Sequence, residues 1–338
     1  MSTAASPARS VSSSEEVPAM GVLEDLARAR TEFERGEWAA ARERWAGVDP
    51  ELLDAADLRR AGEAAVLLGR RDEGAARYQQ AFDACVAAGD ASNAVRCAFH
   101  LSMTFGTGGE PALAAGWAGR AERLLDGHPD APERGYVEFL HMYRHLASGE
   151  LAEAERRAQA ATQLGRAAGN RDLEALGLCG WGRVLIVGGQ VADGLALLDE
   201  SMAAATAGGL STLVLGNLYC TAIEGCQEIA DFGRVAEWTA ALHRWCADQP
   251  ELVTFTGQCS LHRAQVMRQQ GAWSEALEEL RLADERYDEG GTVHPQGLVA
   301  YERGEILRVQ GSTPGPTRRT SVPRSWASTR NPDSRCCG

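Results

Sequence analysis

The stretch Gly149-Glu150-Leu151-Ala152-Glu153-Ala154 decides how this chain is read, because its pattern returns along the sequence at nearly constant spacing. Its first three residues have counterparts in Gly36-Glu37-Trp38, Gly69-Arg70-Arg71, Gly109-Glu110-Pro111, Gly189-Gln190-Val191, Ala230-Asp231-Phe232 and Gly271-Ala272-Trp273. The leading residues lie 33, 40, 40, 40, 41 and 41 positions apart, and Gly311 stands 40 further on. Three residues after each third member comes a small or slim side chain: Ala41, Gly74, Ala114, Ala154, Gly194, Val235 and Ala276. A fixed period near 40 marks an array of like units, not a compact enzyme domain.

Working outward from Gly149, Tyr136, Phe139, Leu140, Tyr143 and Leu146 give the preceding segment a broad apolar face at helical spacing. Glycine suits the left-handed helix end that a tight turn needs. Ala154, Ala158 and Ala161 then line a second helix where it crosses closely. The last complete unit repeats the plan, with Leu261, Ala264 and Met267 before its turn and Ala276, Leu280 and Ala283 after it. Each unit is thus a pair of helices, each of roughly 14 to 17 residues and about 20 to 25 Å long. A single pair cannot cover its own apolar surface, whereas stacked pairs can. The pattern predicts an all-α, right-handed superhelical solenoid over residues 21–311: seven hairpins, then one orphan helix, Leu298 to Arg308, that reaches Gly311 with no partner. Residues 1–20 read as a disordered leader, poor in large apolar side chains.

Composition narrows the chemistry. With 338 residues and 44% apolar content, the chain can bury a large core. A net charge of −13 opposes direct nucleic-acid binding, which needs a basic face. All 34 basic residues are arginine, which excludes a lysine-bearing phosphate loop, a Schiff base and a lysine general base. The nine cysteines show no C-x-x-C spacing. Cys85, Cys97, Cys179, Cys220, Cys226, Cys246 and Cys259 fall inside apolar helical patterns, as free thiols in a reducing cytoplasm would. Neither a signal peptide nor a run long enough for a membrane span is present in the sequence.

Past Gly311 the pattern stops. Residues 312–338 contain one alanine, Ala327, and eighteen Ser, Thr, Pro or Arg residues. Back-translating residues 324–338 with GC-rich codons and reading two nucleotides later gives E-L-G-V-D-P-E-P-G-L-A-V-L-W, which suits the end of one unit and the start of another. The tail is therefore read as disordered and frame-shifted, and the adjacent Cys336 and Cys337 as products of that shift.

The turn signature resembles the second-helix entry of tetratricopeptide repeats, best at Gly36-Glu37-Trp38 with Ala41 and Trp45, then at Gly69 with Gly74 and Tyr78. The longer period, with WAGRAERLL (117–125), RDLEALGLCGWGR (171–183), Tyr219-Cys220 with Cys226, Trp245-Cys246, VMRQQGAW (266–273) and YERGEI (301–306), resembles the repeat region of actinobacterial LuxR-type, MalT-like transcriptional regulators. The resemblance covers residues 22 to 311. It implies a tetratricopeptide-like sensory or scaffolding array that in many relatives precedes a DNA-binding helix-turn-helix. The alternatives are a stand-alone interaction scaffold, or a repeat module attached to a cyclase or ATPase system.

No catalytic or cofactor constellation stands out. His141 and His145 lie one helical turn apart, but neither the glutamate of a metallohydrolase nor a third ligand accompanies them. Gly177, Gly180 and Gly182 follow no strand and are read as sites of close helix approach around Trp181. The strongest candidate is a surface. Positions 13, 10, 6 and 3 residues before each turn mark the inner face of a first helix. They are mostly apolar in units four and five and polar in units six to eight. The candidate groove residues are Tyr143, Arg183, Asn217, Glu224, Gln227, Gln258, Gln265, Arg268, Glu305 and Arg308. Such a wall can hydrogen-bond a protein segment or a small effector. The expectation is a non-enzymatic binding module without cofactor or metal. Leu298, Val299, Tyr301, Ile306 and Leu307, lacking one covering neighbour, invite fraying or self-association at the C-terminal helix.

Overall fold

The computed structural model describes residues 16–128, 130–289 and 296–311. The expected shifted-frame tail and most of the expected leader lie outside these residues. Among the described residues the chain is helical without strands. Helices α1 (Glu16–Glu34) and α2 (Trp38–Gly47) form the first hairpin, α3 (Ala55–Leu67) and α4 (Arg71–Ala87) the second, and α5 (Ala91–Thr107) and α6 (Pro111–Leu124) the third. They are followed by α7 (Arg134–Ala147) with α8 (Leu151–Ala167), α9 (Arg171–Val187) with α10 (Val191–Thr206), and α11 (Thr212–Glu228) with α12 (Phe232–Ala247). Last come α13 (Thr256–Gln269) with α14 (Trp273–Glu289), and α15 (Gln296–Val309). Helix α1 begins at Glu16, inside the stretch 1–20 expected to be disordered. No described helix is long and apolar enough to cross a membrane.

The hairpin turns share one construction. The turn glycines have positive φ, from 74° at Gly69 to 82° at Gly189. The residue after each donates its N–H to the carbonyl five residues back, as Arg70 does to Ala65 at 2.8 Å and Gln190 to Leu185 at 2.9 Å. This closes the helix end as a Schellman motif. Ala230 adopts the same conformation at φ 58°, the one described non-glycine residue with positive φ, and Asp231 still donates to Cys226 at 2.9 Å.

Small residues set the crossing within a hairpin. The position five after the turn meets the position seven before it. A methyl on Gly74 would stand 2.9 Å from the Gly62 carbonyl oxygen, and one on Gly194 would stand 2.7 Å from that of Gly182. In the third hairpin Ser102 Oγ donates to the Ala114 carbonyl at 2.9 Å. The glycines read as sites of close approach behave so: Gly177 lies against Thr162 of α8, Gly180 against Met142 of α7, and Gly182 against α10. Most of α9 is consequently buried.

The array also closes on itself. The loop after α12 reaches back across the molecule to the first two hairpins. There Val253 N–H donates to the Leu67 carbonyl at 2.9 Å, and Thr254 N–H to the same oxygen at 3.3 Å. Thr254 Oγ1 donates to the Val66 carbonyl. Glu251 Oε2 accepts from Ala39 N–H at 2.8 Å. Leu252, 3% exposed, enters the core that holds Trp38, Leu53 and Leu67. Both receiving ends need partners: Glu37 gives α2 no side-chain cap, and the Leu67 carbonyl ends α3. Loop 248–255 therefore works as a latch that caps two distant helix ends.

Candidate functional groove

The first helices of successive hairpins present one face to the concave side, and its chemistry changes along the array. In the middle it is aromatic. Phe99 packs on Tyr136 with ring centroids 4.8 Å apart, and Phe139 meets Tyr143 edge-on at 5.1 Å. The Tyr143 hydroxyl faces Thr221 of α11 across α9. Burial pushes the Tyr143 phenol up to about 12, with the neighbouring Thr221 hydroxyl opposing the shift. It stays neutral, a donor or acceptor at the edge of an apolar floor.

From α11 onward the face carries a continuous polar relay. Tyr287 Oη donates to Gln258 Oε1 at 2.6 Å, which orients that amide. Gln258 Nε2 lies 3.2 Å from His262 Nε2, and His262 Nδ1 lies 3.2 Å from Gln265 Oε1. The pattern is satisfied by a neutral imidazole that donates from Nδ1 and accepts at Nε2. Burial holds His262 down to about 4, with the Gln265 bond opposing, in agreement with that neutral ring. Gln227 Nε2 donates to Gln265 Oε1 at 2.6 Å, and Gln265 Nε2 to Glu302 Oε1 at 3.1 Å. Arg268 Nε closes the series 2.8 Å from Glu302 Oε2. Three first helices, α11, α13 and α15, are thereby tied side to side.

Of the ten groove residues picked from the sequence, Gln227, Gln258, Gln265 and Arg268 meet in this relay. Arg183 instead makes a two-pronged ion pair with Glu228, one prong 2.6 Å long. Glu224 lies one turn before Glu228 on α11, with its side chain exposed. Partial desolvation by the surrounding helices raises its carboxyl above the ordinary range, with Arg183 opposing. Asn217 is half-buried and donates to the Leu213 carbonyl of its own helix at 3.1 Å. Glu305 and Arg308 pair with each other at 2.8 Å and take no part in the relay.

His262, Glu302 and Thr221 fall outside the inner-face positions expected from the sequence, as does His100, which stacks on Tyr78 at 4.9 Å and which burial lowers to about 3. All four sit nine residues before their turn. At 3.6 residues per turn that position shares a face with positions 13, 10 and 6, so a wider stripe would have found them. His141 and His145 are not brought to a common point. His145 pairs with Glu150 at 2.7 Å, and His141 lies 3.7 Å from Glu122. No cluster of three metal-ligating side chains occurs among the described residues.

No protein-family model matches the chain, and no curated protein matches it in sequence. Solved structures do match in shape. The apo form of RapI superposes with a TM-score of 0.56 at 11% identity, over 80% of this chain and 98% of that one. A Rap protein complexed with competence and sporulation factor gives 0.56 at 12%, over 82% and 76%. The apo form of the quorum sensor NprR from B. thuringiensis gives 0.54 at 12%, over 80% and 77%. At such identities the likeness speaks to architecture alone, and it shows this chain to be an all-α, tetratricopeptide-like array of helical hairpins.

Proposed function

We propose that this chain is a non-enzymatic recognition module that takes an extended protein segment or a small effector on its concave face. The observation that carries the reading is the pairing of an aromatic floor with half-buried side-chain amides. Tyr136 and Tyr143 are half-buried in the middle of the array, Tyr143 resting on the buried Phe139 ring, and Asn217, Gln227 and Gln258 are half-buried on the helices that follow. Gln227 spends one N–H on Gln265 and keeps its carbonyl and second N–H for a ligand. Amides next to aromatic rings suit a peptide, whose backbone needs hydrogen-bond partners and whose side chains need apolar contact. The shape likeness supports this, since one such structure is a complex with competence and sporulation factor and another is a quorum sensor.

In its fullest form the array, residues 21–311, is the regulatory part of a LuxR-type transcriptional regulator. Ligand binding shifts the set of the stacked hairpins, and that shift passes to a DNA-binding domain. The resemblance of the repeat sequence supports this wider reading. DNA sequencing past the Gly311 codon tests it: helix-turn-helix coding sequence in a shifted frame sustains it, and a confirmed stop with none beyond defeats it.

The groove itself is tested by selecting linear peptides from a display library against the full chain and measuring their affinity by calorimetry. Gln227→Ala and Asn217→Ala should each weaken selected peptides by roughly 5- to 10-fold, as loss of one hydrogen bond of about 1 kcal/mol implies. Equal affinity for the wild type and both variants would remove the amide wall from the binding site.

A further inference from the structure

His100 holds on α5 the register place that His262 holds on α13, nine residues before the turn glycine. Around His262 the flanking places carry Gln258 and Gln265, and both ring nitrogens find partners. Around His100 the same places carry Arg96 and Met103. Its ring is half-buried, and neither nitrogen has a hydrogen-bond partner among the described residues. Stacking fixes it instead. The Tyr78 ring of α4 lies parallel to it, with centroids 4.9 Å and planes 5° apart, and Phe99 meets it edge-on at 5.5 Å. Tyr78 in turn fills the space over Gly62 of α3, where a methyl would stand 3.0 Å from its Cδ1. Tyr78 is fully buried, and its hydroxyl too lacks a partner.

Charge comes from α3 and from α5 itself. Arg59 and Glu63 stand one turn apart on α3, and their contact is loose, with Arg59 Nη1 3.4 Å from Glu63 Oε2. One turn before His100, Arg96 Nη2 reaches Glu133 Oε1 only at 3.3 Å. Other guanidiniums on the concave face close their pairs tightly: Arg268 meets Glu302 at 2.8 Å and Arg183 meets Glu228 at 2.6 Å. Arg59 and Arg96 therefore keep N–H groups to spare. Burial, then the charges of Arg59 and Arg96, hold the His100 ring down to about 3. At neutral pH it is uncharged, with one N–H to donate. The relay at α13 is complete, whereas its counterpart here is a set of donors without an acceptor.

We propose that Arg59, Arg96 and His100 form a subsite on the concave face of the second and third hairpins that takes a carboxylate. The Arg59 guanidinium and the His100 N–H donate to its two oxygens, and Arg96 supplies a second positive charge. Tyr78 holds the imidazole in place by stacking, so the ring needs no hydrogen bond of its own before the carboxylate arrives. Two guanidiniums repel an ammonium group. Glu63, 8% exposed beside Arg59, repels phosphate, which concentrates two charges on one group, more than it repels a carboxylate. The proposal deepens the reading of the concave face as a recognition surface and rests on it. A segment lying along the aromatic floor and the amides beyond it would place an acidic group at this end of the array.

The test uses the full chain with isotope-labelled histidine at neutral pH, its ionic strength held constant with sodium chloride. Sodium glutarate is titrated in while NMR follows the ring signals of the seven histidines. The His100 signal is assigned by its loss in His100→Gln. It should shift saturably, with half-saturation below about 20 mM, while the other ring signals stay in place. Arg59→Gln and Arg96→Gln should each raise the half-saturation at least about fivefold. Glu63→Gln, which removes a repelling charge, should lower it about threefold. The unmoved signals of the other histidines show that each variant is folded. Asn217→Ala and Gln227→Ala should leave the glutarate response unchanged, so failure of the amide wall and failure of this subsite are told apart. No saturable shift at His100, an unchanged half-saturation in Arg59→Gln, tighter binding of sodium phosphate than of glutarate, or weaker binding in Glu63→Gln would each overturn the proposal.

Discussion

Acid should weaken this array through His262. The ring is 1% exposed and fixed between Gln258 and Gln265, and burial holds it down to about 4. In the unfolded chain the same ring titrates near its ordinary value of about 6.5. Between these values the unfolded state carries a proton that the folded state does not, so unfolding takes up a proton and stability falls as pH falls. The contribution is complete above about pH 6.5, declines toward about pH 4 and then levels, for a total of about 3 kcal/mol. At about pH 4.5 the loss is about 2.5 kcal/mol. His262→Gln removes the titration. The variant should be less stable at neutral pH, through lost bonds, but should lose about 2.5 kcal/mol less than the wild type between about pH 7.5 and about pH 4.5. Urea unfolding of both proteins at the two pH values measures the difference. His100, held down to about 3 by burial, titrates alike in both and cancels. Equal pH dependence in the two proteins would refute the neutral, buried imidazole and the relay built on it.

Three further outcomes follow from the packing. Ala230→Gly should raise stability by about 1 kcal/mol in urea or thermal unfolding, because it removes the left-handed strain of a side chain at φ 58°; no gain would mean that the turn is relaxed as it stands. Gly182→Ala should cost about 1 to 3 kcal/mol, since its methyl would stand 2.7 Å from the Gly194 carbonyl oxygen; a neutral result would show that α9 and α10 can separate freely. On α15, Leu298, Tyr301 and Val309 are 42%, 60% and 51% exposed, whereas Val299 and Ile306 are buried. Its amides should exchange faster than those of α9, and sedimentation should show association that weakens in Tyr301→Ser. Exchange as slow as in α9, or a monomer at every concentration, would contradict this.

The hairpin plan was legible because it rests on local chemistry. A glycine able to take positive φ, and a small residue five positions later, are visible one unit at a time, and even the alanine at 230 betrays itself through Asp231-Phe232 and Val235. The groove was half legible. Helical spacing placed Gln227 and Gln265 on the same wall, but their hydrogen bond depends on how closely α11 and α13 stack, which no single unit records. Arg183 illustrates the limit: its partner Glu228 lies 45 residues away and off the counted positions. The latch was not legible at all. Glu251 meets Ala39 only because a small rotation at each junction accumulates over six hairpins until the chain has come round. Such a sum of small angles leaves no mark in any short stretch of sequence.

That closure also has a timetable. Glu251 is made 212 residues after Ala39, so at about 5 to 20 residues per second α2 waits about 10 to 40 seconds during synthesis for the carboxylate that completes it. In an open array each hairpin would be finished when its next neighbour arrived. Here the first two hairpins stay provisional until the loop that follows the sixth has left the ribosome, and two helix ends made early are completed by one late event.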